Sequence, residues 1–148
     1  MRKTLTGMIL TIALCFAAAS ADQQTAEDVA KYRQSIMKAL SGHNGAIRLI
    51  VAGKAGAPDK LADHIAAIAD RAAELDAVFP AGSNLDDDES LPAIWEDADG
   101  FAEAVARFEE AAVALQGAAG GALQDIDAAH RELGKACKGC HEDFRVDN

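Results

Sequence analysis

Aromatic side chains are scarce, with one Trp, one Tyr and five Phe among 148 residues. Together with a low share of β-branched residues and much alanine, this argues against sheet and for helix. Proline occurs only at Pro58, Pro80 and Pro92, so breakers are few and widely spaced. Basic residues are outnumbered, 14 against 24 acidic ones. Nucleic acid and anionic membrane surfaces are therefore poor partners. No apolar run reaches twenty residues, which leaves no confident membrane span or anchor. The three cysteines include one C-x-x-C pair and no second pair to complete a zinc site.

What is present begins with an export signal. Arg2 and Lys3 precede an apolar run from about Leu5 to Ala19, and Ala19-Ser20-Ala21 offers small residues at the cleavage positions. Residues 1–21 are expected to be a signal peptide and 22–148 the mature domain. A lipid on Cys15 is the rival reading, opposed by Leu14 where a small residue is needed. Cleavage would remove Arg2, Lys3 and Cys15, leaving 12 basic against 24 acidic side chains, a formal −12. A basic protein surface, or solubility alone, accounts for that excess.

Cys137-Lys138-Gly139-Cys140-His141 is the chemical centre of the chain. A C-x-x-C-H pentapeptide reads as a c-type haem attachment site. Two thiols add across the two vinyl groups of the porphyrin while the adjacent imidazole reaches iron. At about 100° per helical residue, Cys137, Cys140 and His141 share one face. A thioredoxin-type redox pair would need a βαβ context that is absent here. One haem, carried outside the cytoplasm, is the expectation, and a bacterial periplasm fits both the signal and the thiol chemistry.

The breakers divide the mature chain into four helical stretches. The first is expected from an N-cap at Thr25, with Asp28 three residues on, to Ala52, ending at Gly53 and Gly56. The second spans Pro58 to Val78, the third Pro92 to Gln116 and the fourth Ala122 to Arg145. Each carries an apolar stripe, such as Ile94, Ala98, Phe101, Val105, Phe108, Ala112 and Leu115. Gly100 is the awkward residue of the third stretch, costing about 1 kcal/mol relative to alanine. An all-α, antiparallel up-down four-helix bundle with haem inside is the simplest packing.

Three segments resemble the class II cytochromes c, the cytochrome c′ family, across essentially the whole mature chain. They are Lys31-Tyr32-Arg33-Gln34-Ser35-Ile36-Met37, Ala93-Ile94-Trp95 with Asp97-Ala98 and Phe101, and Gly134 to Arg145 around the haem motif. The resemblance implies His141 as proximal ligand and a homodimer paired through the first two helices. It also makes Met37 the deciding residue. Low-spin relatives use a first-helix methionine as sixth ligand and carry electrons; cytochromes c′ proper keep a five-coordinate, high-spin iron that binds nitric oxide or carbon monoxide. The segment from Val78 to Ser83 and its brief following loop look like the low-spin relatives. The expectation is thus a periplasmic one-electron carrier serving redox partner proteins, with Met37 ligated. Its alternative is a gas-binding protein in which Met37 only packs over the haem. No acid-base pair accompanies Met37, so an enzyme of the peroxidase type is not expected.

Arg33, one turn before Met37, is expected either to pair with a haem propionate or to lie solvated on the surface. Arg145, one turn beyond His141, would cover the proximal face or stabilise the helix end. His130 reads as a hydrogen-bonded core histidine, His43 as a boundary residue and His64 as exposed. Trp95 and Phe101 read as core. Asp86-Asp87-Asp88-Glu89 lacks the spacing of a calcium loop and is expected to be solvated.

Overall fold

The computed structural model describes residues 6–85 and 88–146, with side chains from Thr25 onward. Helix α1 runs Thr6–Val51, α2 Leu61–Ala72, the short α3 Ala93–Glu96, α4 Ala98–Ala118 and α5 Leu123–Phe144. The four long helices close a ring in which α1 packs on α2, α2 on α4, α4 on α5 and α5 back on α1. This is the expected four-helix bundle. No described helix is long and apolar enough to cross a membrane.

The core is aliphatic at its centre. Ile47, Ile65 and Leu115 are wholly buried, and Ile68, Leu133 and Val78 nearly so. Each such side chain contributes about 1.5–3 kcal/mol by leaving water. The expected end of α1 holds. Gly53 takes a φ of 66°, and Lys54 N–H donates to Leu49 O at 2.8 Å, closing the helix with a left-handed residue that only glycine adopts cheaply.

Three boundaries differ from expectation. Thr25 is no N-cap, because α1 continues unbroken from Thr6; no proline interrupts this alanine-rich stretch. Of the leader, only this backbone lies within the described residues, and Cys15 lies outside the described side chains. The second stretch is three pieces: a 3-10 turn at Pro58–Lys60, α2, and a second 3-10 turn at Leu75–Val78. No glycine or proline marks the break at Ala73 and Glu74. Its cause is tertiary, since the turn seats Leu75 and Val78 in the core and turns Val78 O towards a guanidinium of α1.

The third stretch breaks at Asp97, which leaves helical geometry (φ −117°, ψ 65°) and accepts a hydrogen bond from Gly100 N–H at 3.1 Å. Gly100 is thereby explained. A Cβ there would lie 2.3 Å from Asp97 Oδ2, so a side chain at this position would push the Asp97 carboxylate out of its present place.

Candidate haem-binding site

A cavity of about 500 Å³ opens between α1, α4, α5 and the 75–90 segment, within the range of small-molecule and cofactor sites. Met37, Gln34 and Ser41 wall it from α1, Phe101 and Val105 from α4, and Cys140, His141 and Phe144 from α5. Phe79, Phe101 and Phe144 stack edge to face in a row, with centroids 4.9 and 5.3 Å apart, giving the cavity an apolar floor. The α5 positions follow from helical spacing, as Cys137, Cys140 and Phe144 turn towards the core while Lys138 and Glu142 pair outside at i, i+4.

Both thiols are free and half-buried. Burial raises their pKa values, and Cys140 is raised further by the neighbouring Cys137. His141 opens into the cavity. Partial burial, and after it the Arg145 cation, lowers its pKa, which favours the neutral imidazole needed to donate a lone pair to a metal. Arg145 itself bonds to Glu89 (Nε at 2.9 Å, NH2 at 2.8 Å), tying the end of α5 to the acidic segment.

Arg33 lines the cavity, yet its solvated alternative is wrong: the residue is only 2% exposed. NH1 donates to Val78 O and Ser83 Oγ, both at 3.1 Å, and NH2 donates to Ser83 O and to Asp88. Phe79 lies under the guanidinium, 4.9 Å away. Burial alone would raise the Asp88 carboxyl, but the hydrogen bond and charge of Arg33, with help from Ser90 and Gln34, hold it below its ordinary 3.8. The acidic segment is thus not fully solvated, because a buried arginine draws Asp88 inward. Asp86 and Asp87 lie outside the described residues. Sequence reasoning missed this cluster. Its trace was Arg33 standing between Ala30 and Ile36 on the buried face of α1.

One atom of the cluster is left over. Among the described residues Arg33 Nε is buried without a partner, in the wall of the cavity that Cys140 and His141 also line. A buried donor wants an anion or acceptor, and a haem propionate supplies both, so the residues fit this cofactor. Of the remaining expected residues, Trp95 is half-buried and donates from Nε1 to Pro80 O at 3.1 Å. His130 is half-buried and bonded to Asn44 Oδ1 at 2.6 Å, away from the cavity lining. His64 is not free on the surface; it is half-buried against His43.

The sequence profile of the family described as Cytochrome C' matches residues 28–145. Cytochrome c′ of Rhodospirillum rubrum is 33% identical over 144 residues, covering 95% of this chain and 98% of that protein. Cytochrome c-554 of Cereibacter sphaeroides is 48% identical over 71 residues, so the match spans only 46% of its length. Among solved structures, the nitric oxide complex of a mutant cytochrome c prime from Alcaligenes xylosoxidans superposes with a TM-score of 0.77. That pair is 30% identical, covering 83% of this chain and 97% of that one. The family carries a covalently attached c-type haem, and the pentapeptide from Cys137 to His141 fits its attachment sequence. By this fold, this motif and a family match over residues 28–145, the chain belongs to the cytochrome c′ family.

Proposed function

We propose that this chain binds nitric oxide or carbon monoxide at a five-coordinate haem, with His141 as proximal ligand and Met37 as a packed lid. The observation that carries this reading is the near full-length match to a cytochrome c′, whose solved relatives include nitric oxide and carbon monoxide complexes. It reverses the order of the sequence-based expectation, which put Met37 ligation first. Haem iron would supply a one-electron couple and the affinity for a small neutral gas. Around it the chain's own residues have separate tasks. Cys137 and Cys140 would anchor the porphyrin, His141 would offer a ring nitrogen to the iron, and Arg33 Nε would offer a hydrogen bond to a propionate. Met37 is half-buried, flexible and weakly polar, able to exclude water and give way to a ligand.

A second reading is favoured by the same residue. Met37 stands in the cavity wall, where its thioether would serve as a sixth ligand in a one-electron carrier supplied by periplasmic redox proteins. Either protein would be exported by the 1–21 leader, and a homodimer through α1 and α2 accords with the resemblance.

Ferrous absorption spectra of the parent and of Met37→Ala, with and without carbon monoxide at neutral pH, separate the two. A high-spin parent that takes up the gas rapidly, with an unchanged spin state in the variant, is expected. A low-spin parent that becomes high-spin only in Met37→Ala would establish ligation instead.

A further inference from the structure

Away from the cavity, α1 and α2 bring two imidazoles together. His43 Nδ1 and His64 Nδ1 lie 2.9 Å apart, with ring centroids 5.1 Å apart and planes inclined by 54°. Neither histidine lines the haem cavity. We propose that this pair is a second metal site, a two-histidine chelate across α1 and α2 for a divalent late first-row ion, Cu(II) above all.

Metal–nitrogen bonds to histidine are about 2.0–2.1 Å, so two of them meeting at 90–110° hold their nitrogens about 2.8–3.4 Å apart. The observed separation falls at the right-angled end of that range. Right angles suit the tetragonal preference of Cu(II) and Ni(II) better than tetrahedral Zn(II), and Cu(II) also stands highest in affinity for nitrogen ligands. A single N–H···N hydrogen bond would satisfy the same distance but use only one lone pair, whereas a cation engages both.

The scaffold under the pair is rigid. Ile47, one turn beyond His43, and Ile65 and Ile68, beside and one turn beyond His64, are at most 1% exposed. Asn44, next to His43, is held by His130 of α5. The rings themselves are half-buried, leaving a side open to water. Among the described residues no third His, Cys, Asp or Glu joins them, so water completes the coordination. Lys60, at the end of the 3-10 turn one helical turn before His64, is engaged by Asp59 and Asp63 at 3.7 and 3.5 Å, and the chain's net charge of −10 favours cation approach.

The test is calorimetric titration of the haem-loaded, tag-free mature chain with CuCl2, NiCl2 and ZnCl2, paired with electron paramagnetic resonance of the copper form. One equivalent of Cu(II) should bind, more tightly than Ni(II) or Zn(II), with hyperfine splitting from two imidazole nitrogens and no change in the haem spectrum. His43→Ala and His64→Ala should each weaken binding at least tenfold, and His64→Asn guards against a packing effect by keeping a polar side chain of similar reach. Unchanged copper binding in the His43→Ala/His64→Ala double variant, or no binding by the parent at 100 µM copper, would overturn the proposal. Neither result depends on how Met37 meets the haem.

Discussion

Arg33 and Asp88 form an ion pair whose side chains are each 3% exposed, and the bundle's tolerance of losing one partner can be worked from its contacts. Asp88→Ala leaves the guanidinium bonded to Val78 O and to Ser83, but without the only carboxylate that the described residues pair with it in a buried site. Arg33→Ala strands the carboxylate, two carbonyls and a hydroxyl together. Removing one member of a buried pair costs about 3–5 kcal/mol, whereas replacing both by apolar residues of similar volume is near neutral. For a domain of this size each kcal/mol moves Tm by about 3–5 °C, so either single variant should melt about 10–20 °C lower. Arg33→Met/Asp88→Leu should recover part of that loss, the remainder reflecting Val78 O and Ser83 left without their donor.

The assay is urea unfolding of the haem-loaded protein followed by far-ultraviolet circular dichroism. The pH dependence has a fixed sign. The carboxyl titrates below 3.8 in the fold, so the clamp stabilises fully above that value and its contribution disappears as pH falls through the folded pKa. Parent and Asp88→Ala should differ by a constant amount near neutrality and converge in acid. A single variant within about 0.5 kcal/mol of the parent at pH 7, or a double variant as unstable as the singles, would refute the reasoning.

Two further outcomes follow from the geometry. Gly100→Ala should destabilise the parent by about 1–2 kcal/mol, because its Cβ evicts the Asp97 cap, yet stabilise an Asp97→Ala background by up to about 1 kcal/mol; denaturation midpoints of the four proteins test this reversal, and simple additivity would contradict it. Burial lowers the pKa of His130, which makes its neutral form part of the fold: stability is complete above 6.5 and falls as pH drops below that value. In His130→Gln the decline of the urea midpoint between pH 7 and 5 should flatten, and an unaltered slope would exclude His130 as its source.

The bundle and the haem motif were legible because each rests on local spacing. The pentapeptide needs only a helix to align its groups, and stripes such as Phe101, Val105, Phe108, Ala112 and Leu115 announce their buried face directly. What escaped depended on partners distant in sequence. The break before Leu75 has no local signal, since Val78 O turns to meet Arg33 from 45 residues away. Asp88 read as solvated for the same reason, and His64 as exposed because His43 lies on another helix. Met37 illustrates a different limit. Its place in the cavity was readable, but ligation and packing share one residue at one position, so only relatives could weigh between them.

The connections at the cavity mouth form a belt. Arg33 fastens α1 to Ser83 and Asp88, Glu89 fastens the same segment to Arg145, and two backbone bonds, Leu91 N–H to Phe144 O and Val146 N–H to Glu89 O, complete the circuit to the end of α5. A loop tied at both ends to different walls does not fray alone. In hydrogen-exchange terms, the amides of Leu91 and Val146 should open as one cooperative unit, at a free energy closer to global unfolding than to surface breathing. Side-chain motion alone can then widen the crevice for a small molecule, whereas any larger opening requires the whole belt to part.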